Sequence, residues 1–348
     1  MGGHGHDSVY NTDPGSRSCA CAGWQRRASC HNGAMPDKNG LPEGMTPDEY
    51  RALTSFDNDW RDLWWNQDFL QLMAERWRLD QVQRALDVGC GVGHFGQRLA
   101  SFLPATATML GIDITEDVLV TARERAAARG LGERFTYRHG SALALPLADS
   151  SVDLVTFQTV LIHLGDPHAA IAEALRVLVP GGLLVAAEPS QLATATALLG
   201  SHPRLDDADV LTLLELHQIC TRGKRAMGDG DNNVGELLPG FFQQAGLVDI
   251  RAVNNDRCAV LIPPYEAPDQ RLDRDTILAW MEADTWDTGP RDHTLRRYLA
   301  GGGDEARFEH FWDTAIRVNH TRAAQLRAGE LHGGRGFVQY VVWGRKPG

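Results

Sequence analysis

The chain has 348 residues, a formal net charge of −11 and 43% hydrophobic residues, enough to bury a full core within one elaborated domain. Its basic residues are almost all arginine, with lysine only at Lys38, Lys224 and Lys346 and no basic cluster; an acidic surface repels phosphate backbones, so no nucleic-acid partner is expected. No apolar run approaches a membrane span, no signal-peptide pattern opens the chain, and the six scattered cysteines do not form a disulfide framework, so the expectation is a cytoplasmic protein without a membrane partner.

Residues 1–43 are rich in Gly, Ser, Asn, Pro and His without periodicity and read as a disordered tail. Cys19, Cys21, Cys30 and His31 fall there, in a spacing that matches no recurring zinc pattern, and no metal is expected. A single domain then spans residues 44–348. Its first part, residues 44–80, reads as a pair of helices, with Tyr50, Leu53, Trp60, Leu63, Trp64, Phe69, Leu70, Met73 and Trp77 at helical spacing. Trp64 and Trp65 cannot share one helix face, so one of them is expected to look into a cavity.

The core, residues 81–262, opens on A-L-D-V-G-C-G-V-G-H-F-G at residues 85–96. A short apolar run closes on Asp87 and turns through Gly89, Gly91 and Gly93 into an amphipathic helix. Strand, glycine turn and helix build a cradle in which backbone approaches a ligand without intervening side chains. Residues 109–113 form a second strand ending on Asp113, an acid placed to accept both hydroxyls of a ribose. A helix follows from Thr115 to Ala128, with Gly130 at its end. Residues 135–140 make strand three and residues 152–158 strand four. Asp166 and Pro167 start another helix, Pro180-Gly-Gly182 turns the chain, and strand five runs from Leu183 to Glu188.

Two readings of the glycine loop compete. Gly91 to Gly96 matches G-x-G-x-x-G, a weak sign of a dinucleotide-dependent oxidoreductase. The longer D-x-G-x-G-x-G string instead resembles motif I of the class I S-adenosylmethionine-dependent methyltransferases. A carboxylate at the loop's mouth suits a cationic ligand better than a pyrophosphate. The second acid, the G-S-A-x-x-L-P segment from Gly140 to Pro146 and the P-G-G turn follow in that family's order over residues 85–190.

The resemblance implies an α/β, doubly wound, Rossmann-like, seven-stranded and mostly parallel sheet whose last strand is antiparallel. It implies S-adenosylmethionine as cofactor, with Asp87, Gly89, Cys90, Gly91 and Gly93 at the methionine part. Asp113 and Ile114 would lie at the ribose, Ser141 and Ala142 beside adenine, and Gln158 near the methyl. The family carries an acid at the Ser141 position, which this chain lacks. The acid-proline-proline-aromatic tetrad of many amino-nitrogen methyltransferases of nucleic acids is also missing, with Gln158-Thr-Val-Leu in its place.

After strand five the chain departs from a minimal member. One added helix is expected over residues 205–221, then a polar turn at residues 228–233, a helix over 237–245 and strand six over 248–262. Residues 263–334 are an insertion before the last strand (336–343, within 335–346). It carries two helices marked by Ile277, Leu278, Trp280 and Met281, and by Phe308, Phe311, Trp312, Ala315 and Ile316. They read as a helical cap over the sheet's mouth, with a homodimer interface as the rival use.

The reaction implied is in-line displacement at a sulfonium methyl, in which positioning and exclusion of water do most of the work. The acceptor is expected to be a small molecule or a short peptide, with a peptide or protein carboxylate as the variant reading. His163, beyond strand four, is the candidate base, against the plainer role of packing under the cofactor. Glu188 either orients an acceptor group or caps a neighbouring helix. Trp64, Trp65, Asn232 and Asn233 are the candidate substrate contacts.

Overall fold

The computed structural model describes residues 59–200, 205–286 and 289–348, all within the unit Met35–Gly348. The expected tail, its cysteines, and the helical positions Tyr50 and Leu53 lie outside the described residues.

Seven strands form the central sheet. β1 (Arg84–Val88), β2 (Thr108–Asp113), β3 (Phe135–His139), β4 (Val152–Gln158), β5 (Leu178–Pro189) and β6 (Val248–Asn254) join the last strand, Gln339–Arg345. Their order is β3-β2-β1-β4-β5-last-β6. The first five run parallel, and the last strand is antiparallel to both β5 and β6. The order reverses between β1 and β4, and the crevice beyond such a reversal is where ligands bind in open α/β sheets.

Alternation along the strands divides the core into two faces. Ala85, Met109, Leu154 and Val185 pack on one side beneath the helix Gln67–Trp77, whose Leu70, Met73 and Trp77 are buried. Leu86, Ile112, Val155 and Leu184 pack on the other against the helices Pro167–Val177 and Val234–Gln244. The helix Pro167–Val177 begins as its sequence requires, with the Asp166 side chain accepting from Ala169 N and proline in the first turn.

The structure changes the expected elements at four places. The segment 248–262 is two strands: β6 in the main sheet, and Cys258–Leu261 paired antiparallel with Gly333–Gly336 in a separate ribbon. The polar run Asn254-Asn255-Asp256-Arg257 breaks it. The Pro180-Gly-Gly182 turn lies inside β5 as a bulge, where the register jumps from Val152↔Leu178 to Leu154↔Leu183. A helix Gln191–Gly200 precedes the added helix, which itself runs on to Met227. The cap has three helices after β6, Pro268–Glu282, Arg291–Ala300 and Glu305–Arg327.

The cap draws on both sides of β6. Leu213, Leu216 and Ile219 of the helix Asp207–Met227 share one apolar cluster with Tyr298, Phe308, Phe311 and Trp312. The helix Arg291–Ala300 went unread because its buried face is polar: His293, Thr294 and Arg297 beside Tyr298. Among the described residues, no helix is long and apolar enough to cross a membrane.

Candidate active site

The site is built at the C-terminal ends of β1, β2 and β4. After Val88 the chain passes through Gly89, Gly91 and Gly93 at φ of +64°, +52° and +83°, the left-handed region that side chains oppose. A Cβ on Gly89 would stand 2.5 Å from Val160 Cγ2, so only glycine lets the loop lie against the segment after β4. Asp113 fixes the loop from the other side. Gly91 N donates to its Oδ2 and Thr115 N to its Oδ1, each at 2.9 Å. Burial pushes this carboxyl above its ordinary range, against the hydrogen bonds that oppose it. Ile114, next to it, leaves an apolar side chain 42% exposed at the rim.

Three residues expected at the cofactor turn elsewhere. Asp87 is 3% exposed; its Oδ1 accepts from the Thr156 hydroxyl at 2.7 Å and its Oδ2 from Gly96 N at 3.2 Å. It therefore clamps the helix after the loop onto the sheet rather than facing outward, and burial pushes its carboxyl up to about 6. The Cys90 thiol is buried in the first core face. The Ser141 hydroxyl accepts from Leu143 N at 3.1 Å, closing its own turn. Ala142, by contrast, is only half-buried at the edge of the second core face and can still meet a ligand.

The segment 158–163 joins this loop to a cavity. Gln158, 9% exposed, has an Nε2 with no hydrogen-bond partner among the described residues. Thr159 sits at φ +57°, a conformation that costs on the order of 1–3 kcal/mol for a residue other than glycine. Thr159 N donates to Ala187 O at 3.0 Å, and Gln339 Nε2 donates to Thr159 Oγ1 at 3.2 Å.

Glu188 has the capping role, not the acceptor-orienting one. It is fully buried; Oε1 accepts from Val160 N and Leu161 N at 2.9 Å, and Oε2 from Ile162 N at 3.2 Å. Both oxygens thus serve the short helix Leu161–His163. Burial raises this carboxyl to about 7 although the three amides pull it down.

His163 closes that short helix and lines the cavity. His163 is exposed where it lines the cavity, while the protein packed around that cavity still withdraws water from the ring. Burial, and then the positive charges of Lys224, Arg297 and Arg61, drive its pKa well below 6.5. The imidazole is neutral at neutral pH and has a lone pair to offer.

The cavity holds about 380 Å³. Trp60, Trp64, Trp280 and Phe337 wall it, with Thr159 and His163 on the sheet side. Trp60 meets Trp64 edge-on at 5.3 Å and Trp280 at 4.8 Å, and Phe337 lies 4.6 Å from Trp64. Trp60 Nε1 donates to Asp273 Oδ1 at 2.9 Å. Of the tryptophan pair, Trp64 reaches the cavity. Trp65 does not: it stacks on Phe95 at 5.0 Å and Phe69 at 6.1 Å in the core. Asn232 and Asn233 also stay out. Asn232 Oδ1 accepts from Lys224 Nζ at 2.7 Å and Asn233 Oδ1 from Leu192 N at 2.9 Å, so the polar turn is a structural joint. Gly230 lies against the Ile162 carbonyl, where a side chain would collide, and the turn thereby braces the His163 segment from behind.

Sequence reasoning missed the contact between the N-terminal segment and the loop. His94 Nδ1 lies 2.9 Å from Asp62 Oδ1, and Arg129 pairs with Asp62 Oδ2 at 2.6 Å. Burial pushes the Asp62 carboxyl up, but His94 and Arg129 outweigh it and hold the group at about 2. The cavity residues Asn255, Asp273 and Phe337 were missed because folding alone brings them to β4. Thr159 carried no signal, since φ is not written in the residue type.

Residues 79–228 match the family model of a methyltransferase domain. The chain is similar to the ubiquinone/menaquinone biosynthesis C-methyltransferase of Dinoroseobacter shibae, 33% identical over 45% of this chain and 62% of that protein. It is similar to the demethylmenaquinone methyltransferase of Geobacillus kaustophilus, 33% identical over 41% of this chain and 58% of that protein. The chain thus spans about six-tenths of the length of these relatives. Among solved structures, a putative methyltransferase from Bacillus halodurans aligns with a TM-score of 0.46 and 19% identity, over 81% of this chain and 99% of that one.

Proposed function

We propose that this chain, whose residues 79–228 match a methyltransferase-domain model, is a class I S-adenosylmethionine-dependent methyltransferase that transfers a methyl group to a small molecule held in the cavity between the sheet and the cap. The observation that carries this reading is the continuity of the segment 158–163. Its Val160 touches the glycine loop, and its Thr159 and His163 line the cavity. Loop and cavity are therefore neighbours across one stretch of backbone, as a methyl donor and its acceptor must be.

The residues at the loop fit the cofactor. The glycines hold a left-handed turn packed so closely that a Cβ on Gly89 or Gly93 would strike Val160 or Gln97, which leaves backbone rather than side chains to line the loop. Asp113 offers a carboxylate at the end of β2 for the ribose hydroxyls. Backbone at Gly89, Gly91 and Gly93 would hold the methionine portion, Ile114 and Ala142 would flank the adenosine, and Gln158 would close the site. Bound there, S-adenosylmethionine supplies an electrophilic methyl on a sulfonium. His163, neutral and facing the cavity, accepts a proton when the acceptor must lose one. Glu188 holds the backbone that aims this imidazole. The aromatic walls exclude water, which would otherwise compete for the methyl and weaken local electrostatics.

Tryptophan walls suit a planar ring, and the relatives named above act in quinone biosynthesis. A naphthoquinol is therefore the first acceptor to test. A short peptide is the weaker reading, because the walls come from the N-terminal segment, the sheet and the cap together. The test is incubation of the chain with deuteromethyl S-adenosylmethionine and reduced 1,4-naphthoquinol, read by mass spectrometry. A deuteromethylated product supports the reading. Tight binding of S-adenosylhomocysteine with no transfer to any small aromatic would make this a binding module. Binding of NAD instead would return the dinucleotide reading.

A further inference from the structure

We infer that Thr159 is an acceptor-binding residue that donates its hydroxyl proton into the cavity. This rests on the reading of the cavity as the acceptor site. Thr159 is, among the described residues, the only β-branched residue at positive φ. The other non-glycine residues there are Arg78, Ser150, Asp249, Tyr265 and Asp284. A β-branched side chain is the worst suited to that region, and glycine would hold the same turn without strain. Strain of this kind persists where the surroundings impose it and collects at functional sites.

Two neighbours impose it. Thr159 N is tied to Ala187 O, and Gln339, which is fully buried, donates its amide to Thr159 Oγ1. Gln339 is itself fixed by the sheet: its N donates to Asn255 Oδ1 at 3.0 Å, and its O accepts from Asn255 N at 3.0 Å. A hydroxyl carries one proton and two lone pairs. With a lone pair taken by Gln339, the proton remains for another partner. Thr159 is half-buried and lines the cavity, so that partner is the occupant. His163 lines the same side and presents a proton acceptor. Thr159 and His163 together select a group that accepts one hydrogen bond and donates another, which is a hydroxyl or enol oxygen.

The test compares Thr159→Ser, Thr159→Val and Thr159→Gly with the unaltered chain by thermal unfolding, S-adenosylhomocysteine calorimetry and steady-state transfer to 1,4-naphthoquinol. T159S should resemble the unaltered chain throughout. T159V should bind S-adenosylhomocysteine as tightly but raise the acceptor KM about tenfold, the loss of one hydrogen bond, with a smaller change in kcat. T159G should melt at or above the unaltered chain, because glycine relieves φ +57° and water from the cavity can satisfy Gln339. An unchanged KM in T159V overturns the inference, as does a T159G melting point several degrees lower, which would make Thr159 a structural residue. If the unaltered chain binds S-adenosylhomocysteine but methylates no naphthoquinol, that choice of acceptor has failed. Unfolding of T159G then decides Thr159 alone, with a rise or no change supporting the inference and a fall overturning it.

Discussion

Glu188 Oε1 accepts a hydrogen bond from Leu161 N at 2.9 Å, and through it the last acid of β5 holds the turn that ends in His163. The same carboxylate takes Val160 N and Ile162 N. A candidate base on an irregular segment is thus tied to the buried end of β5, which fixes its aim.

Removing that tie should cost both stability and turnover. Glu188→Ala orphans three amides, two of them in buried hydrogen bonds, each worth about 1–3 kcal/mol when buried and left unsatisfied. Urea unfolding should show a loss of at least several kcal/mol. Glu188→Gln keeps one acceptor oxygen and should lose less, with kcat reduced more than acceptor affinity. A Glu188→Ala chain as stable as the unaltered one would contradict the capping role.

Replacing His163 by Asn should lower kcat by about 10²–10⁴ for an acceptor that must lose a proton, the usual span for a general base. Cofactor affinity should hold. Because burial and neighbouring cations keep the imidazole well below 6.5, the rate should not fall on acidification until the pH is well under that value. A rate that halves near pH 6.5 would show an ordinary histidine exposed to water.

Asp113→Ala should weaken S-adenosylhomocysteine binding by roughly 10–100-fold, since hydrogen bonds to a charged group contribute about 1.5–3 kcal/mol. It should also loosen Gly91, whose amide it holds. Calorimetry reads this directly, and an unchanged Kd would remove Asp113 from the site.

The two adjacent tryptophans should separate cleanly. Trp65→Ala opens a hole among Phe69 and Phe95 and should destabilise the fold by about 3–5 kcal/mol. Trp64→Ala should act chiefly on acceptor KM, because its ring walls the cavity. Equal effects on stability and equal effects on KM would erase the distinction.

Asp87 gives stability a dependence on pH whose sign is opposite to that of a salt-bridged carboxylate. Burial raises its carboxyl from 3.8 to about 6. Between those values the folded chain keeps a proton that the unfolded chain has lost. Its contribution is therefore present below about pH 4 and is lost as pH rises through about 6, by about 3 kcal/mol in all. Asp87→Asn should flatten this part of the profile measured by chemical denaturation. A steepened profile would mean that Asp87 is ionised in the fold.

Strands β1, β2 and β5 were legible because each is a short apolar run that meets an acid at its end, at Asp87, Asp113 and Glu188. The cap was less so. Its helix Arg291–Ala300 buries His293 and Arg297, and burial of polar groups leaves no apolar period to read. At the site, the glycines and Asp113 followed from local spacing. Trp64 could be separated from Trp65, and Asn232 from a substrate contact, only once the cavity existed. Its walls come from residues as far apart as Trp60 and Phe337.

The proposed reaction site joins the glycine loop to the tryptophan-walled cavity as its two halves. A crystal structure with S-adenosylhomocysteine bound tests it most directly. Adenosine should lie between Asp113 and Ala142 and the amino-acid portion over Gly89 to Gly93, with the sulfur aimed past Gln158 into the cavity between Thr159 and His163. A sulfur turned away from that cavity, or a ligand seated anywhere but the glycine loop, would contradict it.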